Sequence, residues 1–341
     1  MKKALLISLF IFTIVIIFGI LCFPEKKKDF PSNQIIVLSS FEDSLYSESI
    51  VYSFFKKRNR FLPIEEDFYD IKWISPKLFN DYKDYPALIV IKNKNPKDET
   101  GDLLFDRVFK NKKKGSKVNI IENIYSDNQM IVGIESEDTL DLRAILNEYS
   151  ESIYKVDDKI ESLIFNKYTR IPENEMIVNQ IFEKYGINVF IDHEYQVIKN
   201  KKDILWIGRG MPSLGDPYRW IIIREIDKYS DLKGRISVIQ DTFKEVMSDS
   251  NSLVISGENE RESYEYVYNN NYIIGGIYIL SEIIKNDDGK SITPSAGGPY
   301  VSYILNREFG KDILLIGLVN SPDKDKMIYL KQLESVFKNI K

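Results

Sequence analysis

Two residue types are nearly missing from this sequence. Its 341 residues contain one cysteine, Cys22, and one histidine, His193. Cys22 lies in an apolar leader, so the remainder can form neither a disulfide nor a thiolate zinc site. A single histidine excludes a metal centre built on two or three histidines of one chain. Any Ser-His-Asp or Cys-His mechanism would have to run through His193. No Gly-x-Ser-x-Gly element occurs. Long basic runs are also lacking. Lys26-Lys27-Lys28 flanks the leader, Lys110-Asn111-Lys112-Lys113-Lys114 reads as a solvated loop, and the net charge is −4. That balance argues against nucleic acid as a partner. What is present, 43% hydrophobic and 29% charged residues, is the composition of a folded globular protein.

The leader opens with Met1-Lys2-Lys3. An uncharged run from Ala4 to Phe23 follows, interrupted only by Ser8 and Thr13. As a helix such a run spans roughly 30 Å, the thickness of a bilayer core. Two readings follow. Cys22 becomes the acylated N-terminus of a lipoprotein, although Leu21 stands where a small residue is usual. Alternatively, the helix is retained as an anchor. Both readings put the rest of the chain outside the cytoplasmic membrane. Residues 1–23 are then the signal or anchor and 24–33 a tether.

Beyond the tether, β-branched runs, alternation and helical spacing predict an α+β fold, with largely antiparallel sheets in two lobes and flanking helices. Strands are expected at Gln34–Leu38, Phe68–Ile74 and Ala87–Ile91, with a hairpin of Val118–Ile121 and Met130–Ile134 turning at Ser126-Asp127-Asn128. Leu142, Ile145, Tyr149, Ile153, Val156, Ile160 and Leu163 recur at helical spacing. They predict one long amphipathic helix over 138–165 that joins an N-terminal lobe (34–137) to a C-terminal lobe (173–341), its stripe packing on a sheet or pairing as a coiled coil. A second helix, Glu173–Tyr185, ends at Gly186 in C′ position. Short strands follow at Asn188–Ile191, Tyr195–Ile198, Ile204–Gly208 and Trp220–Arg224, then a helix over Val238–Met247. Strands resume at Tyr264–Tyr268, Ile273–Leu280, Tyr300–Leu305 and Ile313–Val319, and a helix runs from Lys324 to the end.

Motif searches mostly exclude. Gly289-Lys290-Ser291 lacks the first glycine of a phosphate loop, because position 284 is Ile284. Gly208-x-Gly210 has Ser213 in place of a third glycine, and Pro212 and Pro217 prevent the helix a dinucleotide site needs. Asn286-Asp287-Asp288-Gly289 places Ile284 at the first ligand of a calcium loop and reads as a turn. His193 reads as an exposed turn residue rather than a general base. Tyr264, Tyr266 and Tyr268 line one face of a strand, for packing or for a ligand. Gly297-Gly298-Pro299 before Tyr300 implies either a glycine at positive φ or close backbone approach.

The ordered segments resemble an envelope lipoprotein family known as domain of unknown function 4837. Leu62-Pro63-x-Glu65-Glu66-x-Phe68 is similar to its Leu-Pro-x-x-Glu-x-x-Phe region. Ile204-Leu205-Trp206-Ile207-x-Arg209 is similar to its Trp-x-Arg strand, and Gln240-Asp241 to its Arg-Asp pair. Gly297-Gly298-Pro299-Tyr300-Val301-Ser302-Tyr303 resembles its most recognisable motif, and Gly317-Leu318-Val319-x-Ser321-Pro322-x-Lys324-x-Lys326 follows in order. The resemblance implies one family domain over 34–341 and no activity. Trp206, Arg209, Asp241, Gly297, Gly298, Pro299, Tyr300, Ser302 and Tyr303 are its motif positions, with no role attached.

The expectation is a membrane-anchored extracytoplasmic protein that binds or scaffolds at the cell envelope without catalysis. It has no cofactor, no metal and no assigned catalytic residue; its partners are the membrane, through the leader, and an envelope protein or glycan. The alternative is a hydrolase that cuts envelope polymers with a carboxylate pair. Opposed carboxylates across a cleft would favour the hydrolase, and a flat aromatic face would favour binding.

Overall fold

The first strand, β1 (Gln34–Leu38), is apolar on both faces and runs directly into helix α1 (Phe41–Lys56). β2 (Asp70–Ile74), a short helix α2 (Phe79–Tyr82), β3 (Ala87–Asn93), α3 (Thr100–Val108), β4 (Val118–Glu122) and β5 (Met130–Ser136) complete a five-stranded sheet in the order β2-β1-β3-β5-β4. The computed structural model describes residues 30–56, 66–93, 100–110, 115–247, 252–256, 263–286, 289–321 and 325–341, with side chains throughout except at 252–256 and 283–295.

This first sheet corrects the largely antiparallel expectation. β2, β1, β3 and β5 are mutually parallel, and β4 alone runs against β5. The cause is burial on both faces. Ile35, Val37, Ile89 and Val132 face one core, while Ile36, Leu38, Leu88 and Ile131 face another that α3 closes with Leu104 and Phe105. Continuous apolar strands with helical crossovers are the signature of parallel pairing.

The long helix is also corrected. It is three segments, α4 (Thr139–Glu148), α5 (Ser150–Ile153) and α6 (Lys155–Tyr168). The backbone leaves helical geometry at Tyr149 (φ −101°, ψ 18°). The Asp157 N–H then bonds to the Tyr154 carbonyl, a tighter i−3 turn. Tyr154 stacks on Phe54 at 4.5 Å, which anchors the break to α1. Helix α7 (Glu175–Tyr185) is capped by Asn174 and ends at Gly186 with φ +64°, as its sequence predicts. Asn188–Ile191 is not a strand of the sheet: Asn188 exchanges backbone hydrogen bonds with Lys341 instead.

The second sheet is antiparallel. Its path is β10 (Tyr264–Tyr268), β11 (Asn271–Asn286), β12 (Gly289–Leu305), β13 (Asp312–Asn320), β8 (Asp216–Ile226), β7 (Ile204–Met211) and β6 (Gln196–Asn200), and β9 (Ser252–Ser256) pairs with the far part of β11. Helix α8 (Leu232–Met247) covers one face through Ile239, Phe243 and Val246. The other face shares a core with the first sheet. Leu205, Ile221, Val301 and Leu315 join Phe54, Leu142, Ile160 and Ile181, together with Leu333 and Phe337 of the last helix, α9 (Met327–Lys338). A helical layer is thus sandwiched between two sheets, and residues 32–341 form one compact unit.

Candidate functional site

The motif residues spread over both faces of the second sheet. Trp206 and Arg209 share β7 but point to opposite sides, since the side-chain period of a strand is two. Arg209 enters the helical layer. A bulge between Arg209 and Met211, with Gly210 at φ +112° packed against the Pro217 backbone, aims it there. Its Nη1 donates to Asp192 Oδ2 at 2.7 Å and its Nη2 to Asp216 Oδ2 at 3.3 Å, and Glu194 pairs with it as well. Arg219 is its cross-strand partner. Two opposed arginines repel, and Asp216 relieves this by also accepting from Arg219 Nη2 at 2.5 Å. Arg219 further donates to Gln332 Oε1 at 3.2 Å and lies over the Tyr329 ring. Asp192 is fully buried and accepts from the Tyr168 hydroxyl. Burial, then the neighbouring Tyr195 and Asp192, pushes the Tyr168 phenol far above its ordinary range. This is a charge-compensated buried cluster whose carboxylates are all held by arginine.

The glycine motif is part of the sheet, not the loop leading into it. Neither Gly297 nor Gly298 has positive φ. At Gly298 a Cβ would fall well inside 3.0 Å of the Val319 carbonyl oxygen, and at Gly297 it would meet the Tyr278 carbonyl oxygen at 2.8 Å. Pro299 sits one residue before the β12–β13 ladder begins at Tyr300, where its missing N–H costs nothing. Tyr300 is buried edge-on to Phe243 at 5.3 Å. Ser302 donates to the Ile274 carbonyl at 2.9 Å, and the Tyr303 hydroxyl accepts from Asn271 Nδ2 at 2.8 Å.

On the α8 side, the β7–β8 end carries an aromatic face. The Trp220 indole lies across Gly208, where a Cβ would come to 3.0 Å from its Nε1. Tyr218 stacks beside Trp220 with centroids 5.4 Å apart and planes 21° apart, and Trp206 meets Trp220 edge-on at 6.0 Å. Tyr218 is 39% exposed, and Met211 and Leu214 of the adjoining hairpin are 53% and 80% exposed.

The tyrosine stripe of β10 packs inward. Tyr266 donates to Glu334, and Lys338 Nζ lies 5.4 Å and 5.1 Å from the Tyr266 and Tyr268 ring centres. Lys338 also pairs with Glu334 at 2.8 Å and with Glu161 of α6 at 2.6 Å. Burial alone would push the Glu334 carboxyl up, but Lys331 and Lys338 outweigh it and hold it down, to about 2. His193 is exposed in its turn, and Asp241 is exposed on the outer face of α8, remote from the Arg209 cluster. Cys22, Leu62 and Pro63 lie outside the described residues. Among the described residues no helix is long and apolar enough to cross a membrane. An open pocket of about 240 Å³ lies between α3 and the turn before α2, lined by Phe79, Leu104, Lys77, Arg107 and Thr100. Sequence reading missed Asp192, Asp216 and Arg219 as a cluster; Asp192 lies in the turn before β6, and Asp216 and Arg219 lie in the polar first part of β8.

The sequence model of the family described as Domain of unknown function (DUF4837) matches residues 174–339. That stretch holds the second sheet with α7, α8 and α9, and over it the chain is similar to this family. The resemblance drawn from Phe41 onward is therefore met in the C-terminal part. No curated protein matches. Among solved structures, the crystal structure of LpqN involved in cell envelope biogenesis of Mycobacterium tuberculosis is similar over 45% of this chain and 81% of that one, at 7% identity and a TM-score of 0.26. A likeness at that level supports no functional argument.

Proposed function

We propose that this protein is a membrane-anchored extracytoplasmic binding protein of the cell envelope, that it works without catalysis, and that its partner is a glycan. The observation that carries the reading is the Tyr218–Trp220–Trp206 face. The stacked Tyr218 and Trp220 rings, with Gly208 beneath the Trp220 indole and Trp206 edge-on beside it, offer a platform on which the C–H faces of a sugar stack. The apolar run Ala4–Phe23 supports the anchor, with Cys22 as the acylation site. The N-terminal lobe belongs, on this reading, to the same functional module. A carboxylate-dependent hydrolase would need a protonated carboxyl group opposite a free carboxylate. Asp192 and Asp216 are each bound to arginine, and Asp102, whose pKa is raised chiefly by burial, sits against Lys92.

The test has two arms. Full-length chain is expected in the membrane fraction, and Cys22→Ser to lose metabolic lipid labelling if the anchor is acyl. For binding, the purified chain is sedimented with insoluble envelope polysaccharide. Trp220→Ala and the milder Tyr218→Ser should each lower retention about tenfold, a loss of about 1.4 kcal/mol. Retention unaffected by both substitutions would remove the aromatic face from the function.

A further inference from the structure

A separate site is built into the first sheet, outside the matched family stretch. Its order β2-β1-β3-β5 reverses direction between β1 and β3. In open parallel sheets, ligands settle in the crevice beyond the carboxyl ends of the strands at such a reversal. Here that crevice is polar. Ser39, Ser40, Asp43 and Ser136 are all buried. Ser40 Oγ caps α1 by accepting from the Asp43 N–H at 3.1 Å. Asn93, at the end of β3, donates to Asp43 Oδ1 at 2.8 Å and accepts from Ser136 Oγ at 2.6 Å. Beside them Lys92 lies 3.6 Å from Asp102, 3.5 Å from Asp106 and 3.7 Å from Glu135. Gly101 brings the start of α3 against Ser40, where a Cβ would stand 3.5 Å from the Ser40 nitrogen.

Two oxygens here have no partner. Asp43 is 6% exposed and Ser47 1% exposed, yet Asp43 Oδ2 and Ser47 Oγ accept no hydrogen bond. The two residues stand one helical turn apart on α1. Because Oδ1 of Asp43 is tied to Asn93, its Oδ2 is held at the same strand ends. A buried carboxylate oxygen left bare is costly, and the ion pairs of Lys92 go to Asp102, Asp106 and Glu135, not to Asp43. The bare groups, Asp43 Oδ2 and Ser47 Oγ, are both oxygen.

We propose that the β1/β3 crevice binds a hard divalent cation, Mg²⁺ or Ca²⁺, through Asp43 Oδ2 and Asp102 with the Ser47 hydroxyl and water. Among the described residues no three carboxylate, histidine or cysteine side chains converge on one point. The site is thus one of two carboxylates completed by hydroxyl and water, the kind Mg²⁺ accepts because it keeps part of its hydration shell. All-oxygen donors exclude the softer transition metals as preferred occupants.

Thermal denaturation of the full-length chain in EDTA and in rising Mg²⁺ or Ca²⁺ tests this, for wild type, Asp43→Asn, Ser47→Ala and the exposed control Asp241→Asn. The midpoint of wild type and of Asp241→Asn should rise with cation. Asp43→Asn should lose the rise while its midpoint in EDTA stays at or above that of wild type, since an uncompensated charge has gone. Ser47→Ala should raise the half-effective concentration about tenfold. A wild-type midpoint indifferent to both cations would mean that water alone meets Asp43, and would overturn the proposal. An equal rise in Asp43→Asn would place the cation elsewhere and overturn it too. If Asp43→Asn does not fold, an unchanged cation dependence in Ser47→Ala is decisive against the site.

Discussion

Replacing Gly298 by valine puts a branched side chain where the Val319 carbonyl already stands. The obstacle is backbone, so no rotamer change relieves it. β12 must move away from β13, and both strands are buried in the middle of the second sheet. Overpacking of this kind costs about 1–3 kcal/mol, and loosening the first ladder hydrogen bond adds about 1 kcal/mol. The total, roughly 2–4 kcal/mol, is a large part of an ordinary stability of about 5–15 kcal/mol. At about 2–4 °C per kcal/mol for large domains, the thermal midpoint should fall by roughly 5–15 °C. Gly297→Ala supplies the graded comparison: its Cβ would meet the Tyr278 carbonyl at 2.8 Å, so its loss should be smaller. Gly310→Ala tests a different cost, because Gly310 has φ +80° and open space around it. Its penalty is conformational and about 1 kcal/mol. An unchanged midpoint for Gly298→Val, or a larger fall for Gly310→Ala, would refute the close-approach argument.

Two further expectations follow from the buried charges and one from an exposed histidine. Glu334 has its pKa depressed from 4.5 to about 2; its ionised form is the stabilised one, so its contribution is complete above pH 4.5 and is lost as pH falls toward 2. Urea midpoints across that window should fall in wild type and fall less steeply in Glu334→Gln. Arg209→Met strands fully buried Asp192 without its guanidinium and should cost about 3–5 kcal/mol, read by chemical denaturation; a loss below about 1 kcal/mol would mean that Tyr168 and the Glu194 N–H satisfy Asp192 without it. His193→Ala should leave both stability and glycan retention unchanged, because His193 is exposed in a turn; a selective loss of retention would bring it into the site.

Local chemistry was legible where it acts alone. The bounds of β1 and β10, the αL cap at Gly186 and the turn at Ser126-Asp127-Asn128 follow from composition and spacing. Strand direction was not: the apolar runs Ile35–Leu38 and Ala87–Ile91 carry the parallel signal, but the interrupted crossovers hide the alternation that would confirm it. The break at Tyr149 was hidden because the apolar stripe continues through it, with Ile153, Val156 and Ile160 all buried. The glycine motif was placed at a strand entry, whereas β12 begins eight residues earlier than Gly297, at Gly289. Proline and two glycines signal interruption in a sequence, yet here they permit a wide strand to pass close to its neighbours. The Arg209 cluster and the β1/β3 crevice depend on which strands become neighbours, and that is a property of topology rather than of any local pattern.

The matched stretch 174–339 is bounded more tightly than the core it belongs to. α9 lies inside it, but Lys331 and Lys338 pair with Glu161 of α6, which lies outside. Asp192 lies inside and takes a hydrogen bond from Tyr168, again outside. The apolar faces of α7 and α9 join one cluster with Ile153, Val156 and Ile160 of the preceding helices and with the first sheet. Removing one partner of a buried ion pair is far more destabilising than never having built the pair, so these contacts bind the two sheets more strongly than their small area suggests. They also fix orientation, because a carboxylate such as Glu161, bridging two lysines of one helix, tolerates little sliding of α6 along α9. The glycine-motif residues Gly298, Tyr300, Ser302 and Tyr303 are buried and lie in the sheet that this helical layer supports. Gly298, Tyr300, Ser302 and Tyr303 are therefore part of the frame of that sheet, whereas Trp206 is the motif position that meets Trp220 at the aromatic face.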